Sequence, residues 1–137
     1  MSRVGAWLLL LSVLLGSCNK EPVVLKVKPD VVEKGDTARK TLLVYMMAEN
    51  SLNGYAASDV AEIVKAVPSV PSDCRLFVYV DDKGFPILTQ YFNMTNGEVG
   101  NSNYHPFSED VCSSDTTAFG RLLDFILEDY PTESLDI

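Results

Sequence analysis

The sequence predicts an α/β fold built on a mostly parallel sheet with flanking helices. Two observations carry that reading. Leu42 to Ala48 is an unbroken apolar run, the signature of a strand covered on both faces. It empties through a polar turn, Glu49 to Gly54, into a stretch with helical apolar spacing. A second run, Arg75 to Val80, follows after a proline-bounded break at Pro68 and Pro71. Strand, helix and strand joined by short connections make a βαβ unit, whose strands are parallel and whose crossover is right-handed.

The first helix is expected from Ala56, Ala57, Val60, Ile63, Val64 and Val67 on one side, with Asp59, Glu62 and Lys65 on the other. Ser51 and Asn53 are both suited to cap it. Lys83-Gly84-Phe85-Pro86 is a turn, after which Ile87 to Phe92 returns antiparallel to the second strand. Asn93 to Ser108, rich in Asn, Gly and Ser, is expected to be a long surface loop. A second helix then carries Phe119, Leu122, Leu123, Ile126 and Tyr130 on its buried side. Ser114 or Asp115 caps it and Pro131 stops it. Ser134 to Ile137 has the look of the approach to a further strand.

Residues 1–17 are read as a targeting segment. Arg3 is its only charge, and the apolar run from Ala6 to Leu15 suits a secretory signal and is too short to span a bilayer. The run closes on Leu15-Gly16-Ser17-Cys18, which resembles a bacterial lipobox. Cys18 is therefore the expected lipidation site, with a plain signal peptide as the alternative. Several acyl chains on one terminus hold a protein on a membrane where one does not. Residues 18–40, mixed in Pro, Lys, Asp and Gly, read as the tether of a lipid-anchored domain, with Val23 to Val27 able to form a short edge strand. The expected location is the bacterial cell envelope, and the membrane is the expected partner through the lipid.

The chain of 137 residues carries a net charge of −8, and loss of residues 1–17 removes Arg3 and no acid, giving −9. That balance argues against nucleic acid as a partner. An oxidising compartment would allow Cys74 and Cys112 to pair, although each also fits a free thiol. No Cys/His array with metal-ligand spacing, phosphate loop or serine nucleophile elbow is present.

One constellation stands out. Asn50 and Ser51 follow the first strand, and Asp81 and Asp82 end the second. In a parallel sheet those carboxyl ends lie side by side, where sites are built in open α/β folds. The four residues are expected to wall a cleft that binds a cation or a basic group, the alternative being that Asp81-Asp82-Lys83-Gly84 is simply a hairpin turn with solvated acids. His105 and Cys112 are the one local histidine–thiol combination. His105 lies before Pro106 in a polar loop with no strand to hold it, so no catalytic residue is assigned there.

Val44 to Leu52, VYMMAENSL, resembles the opening strand and turn of the clostripain-like cysteine peptidases, with Glu49 where that family more often has Asp. The order of elements up to Tyr130-Pro131 is also similar. The resemblance implies a caspase-like sandwich, of which residues 41–137 would be the amino-terminal part, and cleavage of peptides or proteins after basic residues. It also implies a catalytic His and Cys on strands beyond Ile137, so neither is carried over to this sequence. A calcium requirement is compatible with the resemblance, but no residue pattern supports a cofactor. The rival readings are a non-enzymatic envelope lipoprotein with a caspase-like binding module, and a flavodoxin-like domain.

Overall fold

The computed structural model describes residues 29–51 and 53–137. The signal segment, Cys18 and the Val23–Val27 strand lie outside these residues. In chain order the elements are β1 (Pro29–Asp30), β2 (Lys40–Met47), α1 (Asn53–Ala66), a 3-10 turn (Val67–Ser69), β3 (Cys74–Asp81), β4 (Ile87–Met94), β5 (Val99–Tyr104), α2 (Thr116–Asp129) and β6 (Leu135–Asp136).

The sheet runs β1-β4-β3-β2-β6, with β5 on the other edge of β4. Its centre is parallel: β2 pairs with β3 from Lys40↔Cys74 to Met47↔Asp81, and with β6 at Thr41↔Leu135 and Leu42↔Asp136. Its flank is antiparallel, through β3 with β4 and β4 with β5. The approach to a strand at Ser134–Ile137 is thus β6, laid against the free side of β2.

Alternation along the strands sends successive side chains to opposite faces. Leu43, Phe77, Tyr79 and Leu88 meet Ala118, Leu122, Ile126 and Tyr130 around α2. On the other face Leu76 and Val78 meet Val67, with Val44, Met46, Val60 and Ile63 packed beside them. The cover is unequal. Helix α1 buries only Ala56 fully, Leu42 remains 43% exposed, and an open apolar cavity of about 350 Å3 runs between Leu42, Val44, Ile63, Val70 and Leu76. Helix α2 is the firmer element. Its cap is Asp115, whose carboxylate accepts from the Thr117 N–H at 2.8 Å, and the Tyr130 N–H closes its last turn on the Ile126 carbonyl.

Two expectations are corrected. The loop expected over Asn93–Ser108 contains β5, which pairs with β4 from Leu88↔Tyr104 to Asn93↔Val99. Val99-Gly100-Asn101-Ser102-Asn103-Tyr104 has no apolar alternation, so the pattern conceals it. Hydrogen bonding to the edge of β4 holds it instead. The turn before it was the usable signal, since Asn-Gly favours hairpins. Gly97 adopts φ 83°, and the Met94 N–H bonds the Glu98 carbonyl at 2.8 Å. Gly100 is required as well: a Cβ there would fall 2.4 Å from the Phe92 ring.

The second difference concerns the tether. Its last part is docked on the domain. The Gly35 N–H bonds Asp129 O at 2.9 Å, and Ala38 exchanges bonds with Pro131 O and the Glu133 N–H. Arg75, only 1% exposed, clamps this segment. Its guanidinium donates to the carbonyls of Asp36 at 2.9 Å, Glu33 at 3.2 Å and Pro131 at 3.2 Å, and lies over the Tyr130 ring. Backbone-directed contacts leave no hydrophobic period, so composition did not mark this segment as part of the domain.

Cys74 and Cys112 are both free. Cys74 opens β3 and bonds Arg39 and Asp73. Cys112 lies beside Met47 and Asn50, beyond the opposite end of β2. The pairing that the sequence allowed is therefore not formed.

Candidate functional site

The in-register parallel pair of β2 and β3 delivers its two carboxyl ends together, and the Ala48 N–H continues the ladder onto Asp81 O at 2.6 Å. All four residues singled out in the sequence, Asn50, Ser51, Asp81 and Asp82, are at this edge. Their environments differ. Asn50, Ser51 and Asp82 are exposed, and the Asn50 side-chain amide donates to Met47 O at 3.1 Å. Asp81 is fully buried, and neither of its side-chain oxygens has a hydrogen-bond partner. The alternation of the strand splits the acidic pair: Asp81 falls on the Phe77–Tyr79 face and Asp82 on the other.

The loop between β5 and α2 folds over this edge. Phe107, Val111 and Ser113 are buried in it. The Tyr45 and Tyr79 rings stack at 4.7 Å, flanked by Phe119 and Phe107 in edge contacts. The Tyr45 hydroxyl donates to Ser113 O at 2.7 Å. Burial first, and then the negative charges around it, pushes the Tyr79 phenol well above the usual tyrosine range. Tyr45 moves the same way, through burial and Asp81. The edge is thus a region of negative potential.

Its source is a convergence that sequence reading missed. The loop brings Asp110 to Glu49 and Asp81, and one carboxylate oxygen from each lies within 4.8 Å of the others. Glu49 was visible within the VYMMAENSL motif. Asp110 had no signal, except that Phe107 and Val111 are apolar residues in an otherwise polar loop. A cleft of about 270 Å3 opens beside them between Met47, Glu49, Asn50, Cys112, Ser113 and Ser114.

The cleft contains a thiol without a base. Cys112 Sγ is 3.0 Å from Ser114 Oγ, and no hydrogen bond joins it to His105. A strand does lead to His105, since β5 ends at Tyr104, but the imidazole is exposed beyond it. The arrangement positions and attracts. It does not assemble a nucleophile with its base.

Residues 44–137 match the model of the Clostripain family, Peptidase_C11. The chain belongs to the clostripain family. The match begins at Val44, where the VYMMAENSL motif begins, and takes in the whole carboxyl-end edge. Solved structures agree on the caspase-like fold. A B. fragilis cysteine protease is 28% identical, with a TM-score of 0.62 over 70% of this chain and 81% of that one. An inactive zymogen C11 protease from Parabacteroides distasonis is 23% identical, with a TM-score of 0.66 over 72% of this chain and 29% of that one. A secreted C11 cysteine protease from Bacteroides thetaiotaomicron, bound to an irreversible peptide inhibitor, is 24% identical at a TM-score of 0.62, with 27% of its chain covered. This chain therefore corresponds to under a third of the two longer clostripain-family chains. Comparison with curated protein sequences gives no match. The flavodoxin-like alternative is set aside by the clostripain match.

Proposed function

We propose that this chain is the amino-terminal part of an exported, lipid-anchored cysteine endopeptidase of the clostripain type, which cleaves peptides or proteins after basic residues. The observation that carries the reading is the acidic edge at the carboxyl ends of β2 and β3, inside the segment that matches the family. Negative potential there suits the approach of a basic side chain. In the complete enzyme a thiolate attacks the peptide carbonyl and a histidine manages the proton, both carried by segments that follow β6. This segment supplies the central strands and one wall of the cleft, at Asn50 and the adjoining Ser51, with Asp81 buried behind that wall and Asp82 on the opposite face of the strand. Its share of the two longer relatives, 29% and 27%, supports this division.

The full chain alone is expected to leave Arg- and Lys-containing reporter peptides intact. A chain extended through the family's later His and Cys is expected to hydrolyse them in a thiol-sensitive way. An extended chain that folds and cleaves nothing would overturn the peptidase reading, in favour of a binding module.

The lipobox supports placement in the cell envelope, as does the secreted nature of the Bacteroides thetaiotaomicron relative. Cys18→Ala should release the protein from membranes or leave its signal uncleaved. Unchanged membrane fractionation with normal processing elsewhere would refute the anchor.

A further inference from the structure

We propose that the docked strap from Pro29 to Arg39 orients the anchored domain. The amino ends of β2 and β3 then face the bilayer, and the cleft opens away from it, toward polypeptides free in the surrounding solution. The inference rests on the lipid at Cys18 proposed above and adds the direction in which the site faces. The chain joins the sheet at one defined place. Pro29 pairs with Met94, the last residue of β4, and Asp30 pairs with Asn93. Because β4 runs antiparallel to β3, that place is beside the amino end of β3. The strap then stays at this end of the domain. The Gly35 N–H bonds Asp129 O, where α2 finishes, and Lys34 pairs with the Asp129 carboxylate at 2.6 Å. Ala38 is buried and bridges Thr132. Arg39 pairs at 2.7 Å with Asp73, immediately before β3. The Arg75 guanidinium holds the Glu33 and Asp36 carbonyls from within.

The dimensions turn this attachment into an orientation. Eleven peptide bonds link Cys18 to Pro29. A flexible chain of that length has an end-to-end distance of about 18 Å, and full extension reaches about 36–40 Å. From Lys40 to Met47, β2 rises about 23 Å toward the cleft. With the amino ends toward the lipid, the tether spans only its relaxed length. With the cleft toward the lipid, it would have to run back along the full height of the sheet. That path draws it well beyond its relaxed length, at a cost in chain entropy. Release of the strap would double the free length, because Lys40 is twice as far from Cys18 along the chain as Pro29 is. The preference would then fade. A peptidase held in the docked way takes soluble polypeptides, and the membrane-embedded segments of its neighbours stay out of its reach.

Energy transfer from a fluorophore on the protein to an acceptor-labelled lipid tests this without reference to peptide cleavage. The full chain, lipidated in bacteria, is inserted into preformed phosphatidylcholine vesicles that carry the acceptor. One variant, Cys74→Ser, keeps Cys112 as the reactive thiol at the cleft. A second carries the fluorophore at the base through Ser72→Cys, with Cys74→Ser and Cys112→Ser. Both labelled positions are exposed. Transfer should be clearly stronger from position 72 than from Cys112. Gly35→Pro removes the N–H that bonds Asp129 O and the φ of 88°, which proline cannot adopt. It should abolish most of that difference, and Arg75→Ala should do the same. Gly35 lies in the exposed part of the strap, so the test does not depend on how Arg75→Ala folds. Equal transfer from the two positions on vesicle-bound protein, or stronger transfer from Cys112, would overturn the orientation. A difference that survives Gly35→Pro would overturn the role of the strap. Failure of the labelled chains to float with the vesicles would refute the anchor itself, and the orientation with it.

Discussion

Phe77→Ala should cost the fold about 3–5 kcal/mol, a large part of the ~5–15 kcal/mol that a domain of this size commands. Phe77 is completely buried at the centre of β3. Its ring makes edge contacts with Tyr130 at 5.1 Å and Tyr104 at 6.4 Å, so it joins α2 to β5 across the sheet. Alanine would remove that bridge and leave a cavity between elements that are themselves fixed by hydrogen bonds. Urea unfolding of the full chain, followed by circular dichroism, reads the loss as a lower midpoint. Leu127→Ala, on the 44%-exposed side of α2, should change stability by less than about 1 kcal/mol. Equal effects at the two positions would contradict the core assignment.

Arg75→Ala is the second large effect, expected to reach about 3 kcal/mol, since it removes a 1%-exposed side chain and its three charge-assisted hydrogen bonds, each of the kind worth ~1.5–3 kcal/mol before discounting for the exposed acceptors. The substitution removes the guanidinium donor from the Asp36 carbonyl, leaves the Glu33 and Pro131 carbonyls with only their backbone donors, and empties the space against Tyr130. Arg75→Lys should rescue little, because an ammonium cannot reproduce the planar fork. The effect should also be local. Amide exchange at Gly35 and Ala38, which bond Asp129 O and Pro131 O, should accelerate before exchange in β3 does. Unchanged protection at these amides would mean that the segment docks by other means.

These two residues also show what the sequence made legible. Phe77 sits in an apolar run, and the pattern places it in a central strand with no further information. The parallel pairing of β2 with β3, the hairpin to β4 and helix α2 with its Asp115 cap follow from the same periodicities. Arg75 stands at the head of that run, and nothing local says that its side chain turns back onto a segment some forty residues earlier. Strand β5 was hidden for a related reason: its binding energy is in backbone hydrogen bonds to β4, and Val99 to Tyr104 show no alternating face. The site was half visible. Asn50, Ser51, Asp81 and Asp82 follow from the rule that parallel strands end together. The burial of Asp81 beside exposed Asp82 follows from strand alternation only when the covered face is known. Asp110 reaches the site through a loop whose path depends on Phe107 and Val111 finding the core, which is a tertiary event.

The division of labour between scaffold and catalytic residues is most directly tested by covalent labelling. A peptidyl acyloxymethyl ketone with lysine next to the reactive group captures a cysteine only where a peptidase site activates the thiol. The full chain should remain unlabelled at Cys112 under conditions in which a chain extended through the family's later cysteine is labelled there. Stoichiometric labelling of Cys112 in the full chain, lost on mutation of His105, would contradict the account and place a working thiol–imidazole pair on this segment.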